Sequence, residues 1–198
     1  IRRRGGNAAA YRADVRDRAA LDAMLGDASL RLGPIGALVC CAGVAQQKLF
    51  QDITDEDWDR MFDINIKGVY RSIQAALPYL MKRERSCIVT FSSMWGQVGA
   101  SCESHYAASK GAVIALTQSL AKELGPSGVR VNCVSPGTIL TDMTAVLGQE
   151  TLDALAEETP LERNGSPEDA ARAAAFLCSE AADFITGQVV AVNGGYIV

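Results

Sequence analysis

Tyr106 and Lys110 stand four residues apart, with Ser93 thirteen residues before the tyrosine and Asn65 twenty-eight before the serine. On a helix, residues i and i+4 lie one above the other on the same face, so Lys110 can bring its ammonium close to the Tyr106 phenol. A phenol ordinarily titrates near about pH 10. A cation within a few ångströms lowers that value by roughly 1–3, which makes an acid able to exchange its proton near neutrality. Ser93 comes just after the strand-like run Cys87-Ile88-Val89-Thr90-Phe91, where a hydroxyl at the strand end can face the same reacting atom. Together these residues have the makings of a proton-transfer site. The tyrosine–lysine pair alone is unspecific, since at average composition roughly one chain in four of this length carries it by accident. The plain alternative is an amphipathic helix with an exposed lysine and a half-buried tyrosine.

The elements that must position these groups alternate between strand-like and helix-like, which predicts a parallel sheet covered by helices on both faces. Ala8–Ala13 reads as a short strand ending at Asp14. Asp17 caps a helix to about Leu32, broken by Gly33-Pro34. Ala37–Cys41 is the next strand. Thr54-x-x-Asp57 resembles a capping box opening a long helix to about Lys82. Cys87–Phe91 is a strand, and Ser104–Leu124 a helix stopped by Gly125-Pro126. Val129–Val134 is a strand, followed by a loop and short helices from Thr138 to Glu158. Ser166-Pro167-Glu168-Asp169 starts a helix ending near Ser179, and Gln188–Val192 is the last strand. Neither a repeat nor an interdomain linker breaks the pattern, so residues 1–198 read as one domain.

Further motifs complete the pattern: Cys41-Ala42-Gly43 after an apolar strand, Asn65-Ile66-Lys67-Gly68 within a helix, Ser92-Ser93 leading to Gly96, Ser135-Pro136-Gly137 after another strand, and Thr186-Gly187-Gln188 leading to Asn193-Gly194-Gly195. In this order and spacing the chain resembles the short-chain dehydrogenase/reductase family over nearly its whole length. The resemblance implies a Rossmann-like doubly wound α/β fold and hydride transfer between a nicotinamide cofactor and a carbonyl or alcohol carbon. By the same resemblance, Tyr106 is the general acid, Ser93 hydrogen-bonds the carbonyl oxygen, and Lys110 lowers the phenol pKa and bonds the nicotinamide ribose. Asn65 bends its helix and holds a water linking Lys110 to solvent.

The resemblance also implies cofactor contacts. Asp14 and Val15 match the position that meets the adenine, Cys41, Ala42 and Gly43 the loop that the ribose approaches, and Pro136, Gly137, Ile139 and Thr141 the loop over the nicotinamide carboxamide. The family usually has Asn where Cys41 stands, and that asparagine tethers neighbouring backbone. NADP is the expected cofactor and NAD remains open, because the strand end that reads the ribose 2′ position is not in the sequence. Nor is the family's opening strand with its T-G-x-x-x-G-x-G turn. The resemblance implies that roughly 40–50 residues precede Ile1, comprising one strand–helix–strand unit and most of a second helix. Arg2-Arg3-Arg4-Gly5 then reads as a helix tail, with basic residues at the negative end of the dipole. Without that first unit, the Ala8–Ala13 strand lacks its sheet neighbour and Ala37–Cys41 lacks one of its two, exposing an apolar edge.

Within the family, the core resembles 3-oxoacyl-[acyl-carrier-protein] reductases, which implies a carrier-bound β-keto thioester as substrate. The stretch Trp95-Gly96 with Gly99-Ala100-Ser101-Cys102-Glu103 resembles instead a branch that reduces a 5-aminopentanone group on elongation factor P. There Trp95 and Glu103 would flank the mouth of the site, an acid suiting a substrate amine. A third reading is a non-enzymatic remnant that only associates with other subunits. The family's subunit-pairing helices and last strand are present, and imply a homotetramer for the complete protein.

Composition bounds the alternatives. A net charge of −4 and pI of about 5.1 argue against general affinity for nucleic acid or anionic membranes. The longest nearly unbroken apolar stretch, Ala37 to Ala45, is far short of the ~20 residues that span a bilayer. The six cysteines show no C-x-x-C spacing, so neither a zinc site nor a disulfide framework is expected, and a cytoplasmic location fits. His105 is the only histidine. It precedes Tyr106 directly, points away from the tyrosine's face, and is expected to be a satisfied surface or interface residue. One histidine and no G-x-S-x-G disfavour a serine hydrolase of the nucleophile-elbow type.

Overall fold

A computed structural model describes residues 1–198, apart from the side chain of Arg4. Four strands, β1 (Ala37–Cys40), β2 (Ser86–Phe91), β3 (Val129–Pro136) and β4 (Val189–Val192), form one parallel sheet in the order β1-β2-β3-β4. Each parallel step needs a crossover connection. These are supplied by α2 (Asp55–Phe62) with α3 (Gly68–Leu80), by α4 (Trp95–Val98) with α5 (Ser104–Leu124), and by α6 (Asp142–Ala145), α7 (Gln149–Glu158) and α8 (Pro167–Cys178). Ahead of β1 lies α1 (Arg18–Leu32), whose cap Asp17 accepts the Ala20 N–H at 3.1 Å. Both expected capping boxes, Thr54 with Asp57 and Ser166 with Asp169, are formed.

The two-residue period of a strand sorts side chains onto the two faces. Ile88, Val131 and Cys133 face the cluster that contains Leu21 of α1, Ile73 of α3 and Val113 of α5. Val89 and Val134 face Ala174 and Leu177 of α8. All five valines and isoleucines at β2 and β3 in these clusters are fully buried, each worth roughly 1.5–3 kcal/mol over leaving it in water. The central strands therefore carry the site, and their C-terminal ends deliver Ser93 and Pro136.

Two expectations about the elements are corrected. Ala8–Ala13 is not a strand: it pairs with no neighbour, and an extended segment without a ladder leaves its backbone groups to other partners. It is pinned through its side chains instead, Tyr11 donating to Asp27 Oδ2 at 2.6 Å and Ala13 packing against the core. β1 is accordingly an edge, with Val39 46% exposed. The long helix expected from Thr54 to Lys82 is not continuous but interrupted by a π turn at Asp63–Lys67, where the resemblance implied a local bend. Such turns insert an extra residue into a helix and are common at functional sites. This one is centred on Asn65.

Candidate active site

The site is built on α5. Its buried residues His105, Ser109, Val113, Thr117 and Ala121 recur at every fourth position, and the small side chains among them let the helix lie close to the sheet. Thr117 of this stripe meets Thr90 of β2 at 2.7 Å between hydroxyls. One residue round the helix stand Tyr106 and Lys110. Lys110 is only 6% exposed. Its Nζ donates to the Phe91 carbonyl at 3.0 Å and lies 5.7 Å from the centroid of the Tyr106 ring. An ammonium has three N–H donors, so this bond leaves two for a ligand.

The end of β2 meets this helix closely. Ser92 Oγ donates to the Lys110 carbonyl at 2.8 Å, and Ser93 Oγ accepts the Trp95 N–H at 3.2 Å. Gly96 makes that approach possible: a Cβ there would stand 2.7 Å from the Lys110 carbonyl carbon. Trp95 packs edge-to-face on Tyr196, with centroids 5.9 Å apart, and Tyr196 donates to Glu158 Oε2 at 2.7 Å.

Asn65 is fully buried rather than lying on an exposed helix face. Its Oδ1 accepts the Val44 N–H at 2.8 Å, and its Nδ2 lies 2.9 Å from the Val44 carbonyl and 3.0 Å from Ser109 Oγ. Ser109 in turn donates to the Tyr106 carbonyl at 2.7 Å. The carboxamide thus ties the π turn, the loop after β1 and the Tyr106 turn of α5 into one unit. It also tethers the loop that the family's asparagine would tether, while Cys41 at that position is exposed.

The expectation that Lys110 holds the phenol below its ordinary value is corrected. Burial pushes the Tyr106 phenol up, and a Ser93 hydrogen bond offsets only part of this. Burial also pushes Lys110 down to about 8. The physical reason is that both groups are taken out of water, which disfavours whichever form is charged. Near neutral pH the tyrosine is therefore a protonated acid beside a protonated lysine.

The residues expected to hold a cofactor lie along the C-terminal edge of the sheet and beside β1. A Cβ at Gly43 would sit 3.3 Å from both Asn65 Oδ1 and Lys110 Nζ, so only a glycine leaves that space clear. Val15, Cys41 and Ala42 line a cavity of about 190 Å³ together with Leu38 and Gly68. Asp14 is bound by Arg16, whose Nη2 lies 2.7 Å from Asp14 Oδ2, and a carboxylate so engaged keeps lone pairs for another donor. Pro136 ends β3, and Gly137 donates to the Val192 carbonyl at 3.0 Å. Ile139 pairs with Gly165, and its carbonyl accepts the Thr144 hydroxyl at 2.8 Å. Thr141 is exposed at the start of α6. A nicotinamide cofactor fits this arrangement through the two remaining Lys110 donors and the cleared space at Gly43.

Sequence reasoning missed Ser109 and misplaced His105. His105 is fully buried, not at the surface, and its Nε2 lies 2.9 Å from Gln46 Oε1. The four-residue spacing from His105 through Ser109 to Val113 was the available signal, since Val113 belongs to the core.

Comparisons with known proteins agree with this fold. A family model described as enoyl-(acyl carrier protein) reductase matches residues 1–197. The 3-oxoacyl-[acyl-carrier-protein] reductase FabG of Staphylococcus aureus is 37% identical over 195 residues, 98% of this chain and 79% of that protein. Human (3R)-3-hydroxyacyl-CoA dehydrogenase is 40% identical over 192 residues, 96% of this chain and 74% of that protein. A solved short-chain dehydrogenase/reductase (glucose/ribitol dehydrogenase) from Brucella melitensis superposes with a TM-score of 0.91 at 42% identity, covering 96% of this chain and 76% of its own. A gluconate 5-dehydrogenase from Burkholderia cenocepacia, solved with NADP and tartrate, gives 0.93 at 29% identity over 98% of this chain and 77% of its own. The chain belongs to the short-chain dehydrogenase/reductase family of NAD(P)-dependent oxidoreductases.

Proposed function

We propose that the protein reduces a β-keto thioester carried on acyl carrier protein to the secondary alcohol, with Tyr106 as the general acid. The observation that supports this most directly is the buried Lys110 ammonium 5.7 Å from the Tyr106 ring, with the Ser93 hydroxyl near enough to the phenol to lower its pKa. NADPH, the reduced form of the NADP bound in the Burkholderia neighbour, would supply the hydride when bound. Tyr106 gives its proton to the carbonyl oxygen as negative charge develops there, and Ser93 donates a hydrogen bond to the same oxygen. The raised phenol pKa suits this direction, because the acid is fully protonated before reduction. Lys110 holds the ribose hydroxyls with its two remaining N–H donors and stabilises the tyrosinate left behind. Asn65 keeps the loop of Gly43 and the turn of Tyr106 in register, and its π turn offers the place for a water that returns a proton to Lys110. Asp14, Val15, Cys41 and Ala42 serve the adenosine end, and Pro136, Gly137, Ile139 and Thr141 the nicotinamide end. The assembled form is a homotetramer.

The test is the pH profile of acetoacetyl-thioester reduction by the full-length protein at saturating NADPH. Lys110 titrates at about 8, a value depressed by burial, so its charge is present below that pH and lost above it. Turnover is expected to hold between neutrality and pH 8 and to fall above it, with the descending limb absent in Lys110→Met. No reduction of any β-keto thioester would overturn the assignment.

A second reading, reduction of a 5-aminopentanone group on elongation factor P, is favoured by one observation. Glu103 stands three residues before Tyr106, half-buried, with its carboxylate bonded by Gln47 at 3.1 Å. Under that reading Glu103→Gln loses activity on an amine-bearing ketone more than on a neutral β-keto ester. A charge contact near a surface contributes about 1 kcal/mol or less, so the selective loss is severalfold. Equal losses on the two substrates would favour the acyl-carrier reading.

A further inference from the structure

The loop between β1 and α2 is fastened residue by residue. Val44 is held by Asn65, Gln47 donates to Glu103, and the Lys48 N–H donates to the Cys102 carbonyl at 2.7 Å. Gln46 joins two elements at once. Its Nε2 donates to Asp57 Oδ1 at 2.9 Å, and its Oε1 faces His105 Nε2 at 2.9 Å. Asp57 also receives Lys48 Nζ at 2.6 Å and caps α2 by accepting the Thr54 N–H at 3.1 Å.

The direction of every bond follows from the chemistry of the groups. An ionised carboxylate only accepts, so the Gln46 amide must turn its NH₂ to Asp57 and its oxygen to His105. That oxygen also only accepts, so Nε2 of the imidazole must carry the proton. Nδ1 is then a bare acceptor, and among the described residues it is buried without a partner. A second proton there would be a buried donor with nothing to receive it. The charged groups acting on the ring are Asp57 from α2, Glu103 at the cap of α5 and Lys48 from the loop. Burial lowers the His105 pKa, and the two acids only partly oppose this.

We propose that His105, with its proton on Nε2, is a positioning residue for the reaction: through Gln46 it locks the loop that carries Gly43 onto α5, one residue from Tyr106. The proposal rests on the reading of Tyr106 as proton donor. Loosening the bond frees the Gly43 backbone to move relative to Lys110 and Asn65, and misplacement of a reacting group by a fraction of an ångström to an ångström is enough to slow turnover substantially. Protonation of His105 leaves the Nε2–H donor in place but adds a buried Nδ1–H with no acceptor among the described residues, which strains the ring's seat and so the same lock. Its folded pKa lies below the unfolded value, so the lock is intact above about pH 6.5 and is lost as pH falls through the folded value.

Long-range ¹H–¹⁵N correlation of the tag-free, full-length protein reads this directly, with the His105 signals assigned by their loss in His105→Phe. The expected spectrum at pH 7 shows the neutral Nε2–H form with a midpoint below about 6.5, and Gln46→Met releases the ring to a mixture of tautomers. In the ketone assay, His105→Phe and Gln46→Met each lose roughly tenfold in turnover. His105→Gln, whose amide can reach Gln46 Oε1 but cannot titrate, recovers most of it and removes the acid limb. A packing role alone predicts the reverse order, the aromatic variant outperforming the amide. An Nδ1–H tautomer at pH 7, a His105→Phe enzyme equal to the parent, or a His105→Gln enzyme no better than His105→Phe would overturn the proposal. The spectrum judges the loop lock whatever the substrate, and Tyr106→Phe judges the proton donor, so the two readings fail separately.

Discussion

Tyr106→Phe in the full-length protein is expected to lower ketone reduction at saturating NADPH by roughly 10²–10⁴-fold, the usual contribution of a positioned general acid. The substitution removes one oxygen and leaves the ring. The packing of α5 and the 5.7 Å placement of the Lys110 ammonium against that ring are therefore retained, and cofactor affinity should change little. The loss falls on turnover rather than on KM, because the phenol proton is needed only as charge reaches the carbonyl oxygen. Single-turnover absorbance of NADPH measures it. A variant within threefold of the parent would mean that the tyrosine is merely a helix residue.

Lys110→Ala is expected to be comparably severe in turnover and, unlike the tyrosine variant, to weaken cofactor binding. Two charge-assisted hydrogen bonds to the ribose are lost, each contributing about 1.5–3 kcal/mol, so the dissociation constant should rise at least tenfold in a fluorescence titration with NADPH. Because the alanine also leaves a cavity in the buried turn, Lys110→Met serves as its control. It keeps most of the stem and removes a charge that burial disfavours, so it should fold at least as well and lose as much turnover, leaving a residual rate whose pH profile can be followed. The Tyr106→Phe/Lys110→Ala pair should cost far less than the product of the single losses, since the two act as a unit. Multiplicative losses, or unchanged NADPH affinity in both lysine variants, would separate Lys110 from the site.

The grouping of Asn65 and Ser93 with Tyr106 and Lys110 rested on the family resemblance, but spacing alone was enough to pair Tyr106 with Lys110 and to mark the capped starts of α2 and α8. These features are local. A capping box is a contact across three residues and a helical pair a contact across four, so the chain near each one contains all the information needed. The alternation of apolar strands with helices similarly implied the parallel order of β1 to β4, because parallel neighbours require the crossovers that the helices supply.

What depended on distant parts of the chain was decided only in three dimensions. Ala8–Ala13 has strand-like composition, yet a strand exists only where another lies beside it. The helix through Asn65 reads as continuous from its pattern, with a bend implied only by the resemblance, and a carboxamide bonded to Val44, twenty-one residues away, accompanies its opening into a π turn. His105 looks like a surface residue until the loop after β1 folds over it and Gln46 meets its ring. The protonation of Tyr106 and Lys110 is the sharpest case. From the sequence, proximity alone suggested a lowered phenol, while the tertiary structure removes both groups from water, and the cost of desolvating a charge outweighs the field of one neighbour.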